Sequence, residues 1–104
     1  MKEACLAFIE LIKNEDFYEA HEVLEEVWFP HRKSKEPKTL VLKGFINASV
    51  ALELNRLGRV QNAQKVWKTY EKYKALIPQC EEEIFGQVAR FLEGCYERYL
   101  SSGD

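Results

Sequence analysis

A chain of 104 residues, with 46% hydrophobic and 31% charged side chains, has the size and composition of one folded domain, not of a disordered segment. Its net charge of -2 argues against polyanions and membrane surfaces as partners. No run approaches the roughly 18 consecutive apolar residues that cross a bilayer. Cys5, Cys80 and Cys95 are odd in number and form no C-x-x-C pair, so they read as reduced core thiols. Met1-Lys2-Glu3, with Glu10 inside the first apolar stretch, makes a poor secretory signal, and the expected compartment is the cytoplasm.

Helical periodicity runs almost from end to end, and no segment alternates like a strand. The first helix, near residues 2–13, turns Cys5, Phe8, Ile9 and Ile12 inward. Asp16 is the expected N-cap of the second, with Glu19 as its capping-box partner. That helix carries Phe17, Ala20, His21, Leu24, Val27 and Trp28 on one stripe, and Pro30 ends it near Phe29. A basic loop follows to Glu36. Pro37 suits a first turn, and the third helix continues to Leu57, apolar almost all round and therefore central.

Gly58 closes the third helix as a left-handed cap. The fourth, about 60–77, bears Val60, Ala63, Val66, Trp67, Tyr70, Tyr73 and Ile77 on its buried stripe. Pro78 restarts the chain, and Glu81, Glu82 and Glu83 are expected in the first turn of the fifth helix. That helix buries Ile84, Val88, Phe91, Leu92, Cys95 and Tyr99 before dissolving into Ser101–Asp104. Gly86 and Gly94 share a face away from this stripe, which admits self-association there. The expectation is one all-α domain over 1–104, a five-helix bundle with a first hairpin at 1–29, a second at 37–77 and a capping helix at 78–100.

A hidden repeat relates the hairpins. A shift of 43 residues matches Ile9 to Leu52, Leu11 to Leu54, Phe17 to Val60, Ala20 to Ala63, Leu24 to Trp67 and Val27 to Tyr70. Alanines at matched positions let the helices approach closely. The run Leu57-Gly58-Arg59-Val60-Gln61-Asn62-Ala63, with an aromatic residue four positions later, resembles a tetratricopeptide hairpin, although such repeats recur at about 34 residues. Two such hairpins with a capping helix make a short solenoid-like bundle.

Charge is distributed unevenly. Residues 1–27 hold two basic and eight acidic side chains, residues 28–77 eleven basic and three acidic, and residues 78–104 two basic and six acidic. Helices of opposite sign packed side by side account for this pattern.

Chemistry concentrates in Phe17–Trp28. His21 follows Phe17 by one turn and points toward the apolar stripe, where a buried polar group needs a partner. Glu25 at i+4 is one candidate; Lys43 and Asn47 on the third helix are others. A satisfied structural network and a metal or acid–base site are both compatible with this pattern. His21 and Glu25 are the only candidate ligands on that face, whereas zinc takes three or four. The second histidine of the zinc-protease pattern is missing, and Tyr18 stands where a di-iron helix has glutamate. His31 could add a ligand from the loop, although it is expected in solvent. No cofactor is expected.

The string Phe17-Tyr18-Glu19-Ala20-His21-Glu22-Val23-Leu24-Glu25-Glu26-Val27-Trp28, followed by Leu42-Lys43-Gly44-Phe45-Ile46-Asn47-Ala48 and the Gly58–Ala63 turn, resembles the bacterial and archaeal domain-of-unknown-function family numbered 309. The resemblance covers residues 12–77 and implies a compact all-α domain without an established role. It carries over Glu19, His21, Glu22, Glu25 and Trp28 as signature positions. The chain departs from the family at Asn47, Arg59 and Asn62, where glutamine, asparagine and glycine are usual.

Three functions compete on these grounds. The leading one is a non-enzymatic module that binds a protein partner, because no complete catalytic set is visible. The second is a metal-assisted hydrolase or other enzyme centred on His21, Glu22 and Glu25. The third is nucleic-acid binding through the basic 32–38 and 56–74 segments, with Lys65, Lys68 and Lys72 in one stripe. It ranks last, because the aromatic residues of the fourth helix face inward and the flanking helices are acidic.

Overall fold

In a computed structural model that describes residues 1–100, five helices follow one another: α1 (Lys2–Lys13), α2 (Phe17–Trp28), α3 (Pro37–Arg56), α4 (Val60–Lys74) and α5 (Glu83–Cys95). A 3-10 turn at Phe29–His31 extends α2, another at Ile77–Gln79 precedes α5, and a wide π-type turn at Tyr96–Leu100 extends α5. No strand occurs among the described residues. The expected loss of helix at Ser101–Asp104 lies outside them.

Helix α3 is central, as its all-round apolarity requires. It buries Val41, Leu42, Phe45, Ile46, Ala48, Ala51 and Leu52 between α2 on one side and α4 on the other. Ser49, also fully buried, donates its hydroxyl hydrogen to the Ile46 carbonyl at 2.7 Å, so it carries no unmet polar group into the core. Gly44 sets the approach to α4. A Cβ there would stand 3.0 Å from the Tyr73 Cβ and 3.6 Å from the Tyr70 backbone.

The aromatic rings converge on Phe45. Phe8 of α1 stacks on it at 6.4 Å, Tyr70 of α4 tilts against it at 6.1 Å, and Phe85 of α5 meets it edge-on at 5.4 Å. Phe85 is fully buried, although the expected stripe of α5 omitted it. The buried face runs through Ile84, Phe85, Val88, Ala89, Leu92 and Cys95, leaving Phe91 and Tyr99 half-buried. Only Glu83 enters the first turn of α5, since Glu82 is the N-cap residue and its extended backbone leaves Glu81 outside the helix.

The 43-residue repeat extends to backbone hydrogen bonds. After α1, Glu15 adopts a left-handed φ of 63°, its N–H donates to Ile12 O at 2.9 Å, and Asp16 N–H donates to Leu11 O at 2.8 Å. After α3, Gly58 has φ 83°, its N–H donates to Asn55 O at 3.0 Å, and Arg59 N–H donates to Leu54 O at 2.9 Å. Both are Schellman closures, and every partner is displaced by the same register.

This turn also explains why the expected capping box is missing. Asp16 makes no side-chain cap bond, because its backbone is held at φ -89°, ψ 63° by closure of α1. Arg59 sits at φ -92°, ψ 64° in the equivalent place.

The two turns make opposite demands on substitution. Glu15→Gly should raise stability by about 0.5 kcal/mol, the relief of a left-handed non-glycine residue less the entropy that glycine adds to the unfolded chain. Gly58→Ala should lower it by about 1 kcal/mol. Nothing lies within 4 Å of the added Cβ, so that loss is conformational and not steric. Urea denaturation measures both; because Glu15 also accepts the Tyr99 hydroxyl at 3.4 Å, a Glu15→Gly that is destabilised even in a Tyr99→Phe background would refute the strain assigned to position 15.

Candidate functional site

Helix α2 commits Phe17, Ala20 and Leu24 to the core. At about 100° per residue, that places Tyr18, Glu22, Glu25 and Glu26 on its outer side. Together with Glu19, Val23, Leu11 of α1 and the Phe29-Pro30 turn, they line an open groove of about 750 Å³. Tyr18 is 61% exposed and Phe29 52%, unusually bare for rings of their size. Glu19, Glu22 and Glu26 form no ion pair or side-chain hydrogen bond among the described residues.

His21 sits at the margin of the buried face, its side chain 20% exposed, and not within the stripe as its spacing suggests. Its Nδ1 lies 2.9 Å from the Tyr18 carbonyl oxygen, placing the proton on that nitrogen as donor. Its Nε2 lies 3.7 Å from a Glu25 oxygen, and its ring rests 5.2 Å from that of Tyr18. The cluster is therefore local to α2. Lys43 and Asn47 do not join it. Asn47 donates to the Lys43 carbonyl of its own helix at 2.8 Å, and the Lys43 ammonium lies 5.9 Å from the Tyr73 ring of α4. An i, i+4 side-chain bond within α3 satisfies Asn47 without reaching across to α2.

Of the signature residues, Glu19, Glu22 and Glu25 thus line the groove, and His21 and Trp28 border the core. The indole N–H of Trp28 is enclosed and finds no hydrogen-bond acceptor among the described residues. Tyr18 and Phe29 were not singled out in the sequence as groove residues. The available signal was position 18 lying one turn before Glu22, on the polar side of an otherwise amphipathic helix.

No group of three His, Cys, Asp or Glu side chains converges to hold a metal ion among the described residues. The cysteines are poor nucleophiles. Burial pushes the Cys5 thiol up to about 11 and also raises Cys80 and Cys95. Burial, with the Glu93 carboxylate beside it, likewise keeps the Tyr70 phenol protonated.

The basic loop is partly engaged as well. Arg32 stacks 3.8 Å over Phe29 and donates to its carbonyl oxygen, and Lys38 pairs with Glu82 at 3.5 Å. Lys65, Lys68 and Lys72 remain exposed along α4.

The fold and this face define a small all-α hairpin protein with an acidic, aromatic-edged groove. The family model described as a domain of unknown function, DUF309, matches residues 5–66, and the chain belongs to that family. No curated protein and no solved structure matches the chain.

The two tryptophans should respond differently to truncation. Trp28→Phe removes an unpaired buried donor together with some apolar area, so the two effects offset and the loss should stay below about 1 kcal/mol. Trp67 is buried and rests 4.8 Å from Tyr70 and 5.1 Å from Tyr96, so Trp67→Phe should cost about 2 kcal/mol. Equal losses in urea denaturation would show that the Trp28 N–H is satisfied in solution.

Proposed function

We propose that the domain is a non-enzymatic protein-interaction module of the cytoplasm that docks partners through the outer face of α2. The observation carrying this reading is the groove itself, where two exposed aromatic rings flank glutamates of which Glu19, Glu22 and Glu26 form no ion pair among the described residues. Exposed aromatic side chains supply contact area at small entropic cost and anchor many interfaces. Clustered like charges repel one another until an opposite charge arrives, which selects for a cationic partner and speeds its encounter.

The repeated hairpins support the same reading. Like a tetratricopeptide pair, they stack helices so that successive outer faces are presented on a rigid scaffold. The His21–Glu25 pair then has a positioning role, holding the Tyr18 segment of the groove in register.

A photo-crosslinking residue at position 26 should give defined protein adducts in cells. Tyr18→Ser with Phe29→Ser should abolish them while leaving the melting temperature within a few degrees, because both rings are exposed. Adducts of equal yield from exposed Gln87 on α5, or none from position 26, would overturn the assignment.

A further inference from the structure

The repeat that equates the two hairpins also compares their outer faces, and there the match reverses. A shift of 43 residues carries Glu22 of α2 onto Lys65 of α4, and Glu25 onto Lys68. The backbone framework leading into these positions is equivalent in the two hairpins. Both outer helices begin after identical Schellman turns, and Ala20 and Ala63, fully buried, face inward at matched positions. The two ridges are therefore geometric equivalents that carry opposite charge.

Neither ridge is neutralised within the chain. Glu22, Lys65 and Lys68 form no ion pair among the described residues, and Glu25 has only the 3.7 Å contact with His21. Lys65 and Lys68 are exposed, and on α4 they share the ridge with exposed Lys72.

We propose that the chain associates with a second copy of itself, the α2 ridge of one copy seated against the α4 ridge of the other. This rests on the reading of outer α2 as a docking surface and names its partner. Charge complementarity is the argument. The spacing between the two acids equals that between the two bases, so both pairs can be met at once. The exposed rings of Tyr18 and Phe29, the latter carrying Arg32 on one face, border the contact and add apolar area. Every copy carries both ridges, so the contact either closes into a symmetric dimer or continues into longer assemblies. Exposed ion pairs are individually weak and are screened by salt, so the association is modest and sensitive to ionic strength.

Sedimentation of the full chain tests this by charge exchange. The wild type should associate with rising concentration at low salt, and the association should weaken by at least about tenfold at ~0.5 M salt. Glu22→Lys with Glu25→Lys makes both ridges basic; Lys65→Glu with Lys68→Glu makes both acidic. Each double variant alone should sediment as monomer. Their equimolar mixture should recover association, and so should the fourfold exchange in one chain, with thermal melts confirming that every variant folds.

A wild type that stays monomeric at low salt overturns the proposal, as does a mixture that fails to associate while both variants are folded. Crosslinks from position 26 to a different protein, with a monomeric wild type, would sink self-association alone. Loss of all crosslinks from position 26 would sink the docking surface with it.

Discussion

The contact on which the fold depends is the meeting of aromatic rings at Phe45. Rings from α1, α4 and α5 converge on this one side chain of α3, and each is fully or almost fully buried. Such a contact ties together helices far apart in sequence, because Phe8 and Phe85 reach the same ring from opposite ends of the chain. Edge-on and offset ring pairs add stabilisation of about 0.5–1.5 kcal/mol each beyond their buried area. Gly44, next in sequence, allows the α4 backbone close enough for Tyr70 to take part. A larger residue at 44 would push α4 outward and open the aromatic cluster from its side.

With the cluster fixed, the orientation of α2 follows. It packs against α1 and α3, committing Phe17, Ala20 and Leu24 to the interior. What remains is an outer side of Tyr18, Glu22, Glu25 and Glu26 on a rigid helix. A groove on such a helix is preorganised, and a partner does not have to order it on binding. The local bond from His21 to the Tyr18 carbonyl stiffens the same segment from the core side.

Much of this was legible in the sequence because it depends on local periodicity. The inward residues of α1, the centrality of α3 and the 43-residue register each arise from apolar spacing, which reports packing directly. Helix α5 was harder. Its sequence carries apolar residues at Ile84, Phe85, Val88, Ala89, Phe91 and Leu92, wide enough to admit two stripes, and only docking against Phe45 selects the one containing Phe85. The expected capping box failed for a similar reason. Sequence spacing permits it, but Asp16 also closes α1, and one backbone conformation cannot serve both ends. The site was legible in part: Glu19, His21, Glu22 and Glu25 stand out on one helix, whereas the reach of Lys43 and Asn47 depended on distances between helices that no spacing rule supplies.

The outer faces obey a different constraint from the interior. Where the paired helices approach most closely the space is fixed, and Ala20 and Ala63 fill it identically. At an exposed position no packing partner dictates the residue, and a charge of either sign keeps the surface hydrated. Opposite choices at Glu22 and Lys65, and again at Glu25 and Lys68, leave the chain near neutrality while each face carries a strong local field. A protein neutral in total but divided in this way has little long-range repulsion between its own copies. The screening length of about 8 Å at physiological salt then limits attraction to faces that have already come close. Under that condition the equal spacing of Glu22 with Glu25 and of Lys65 with Lys68 is what would let charge set a register in the proposed contact between copies.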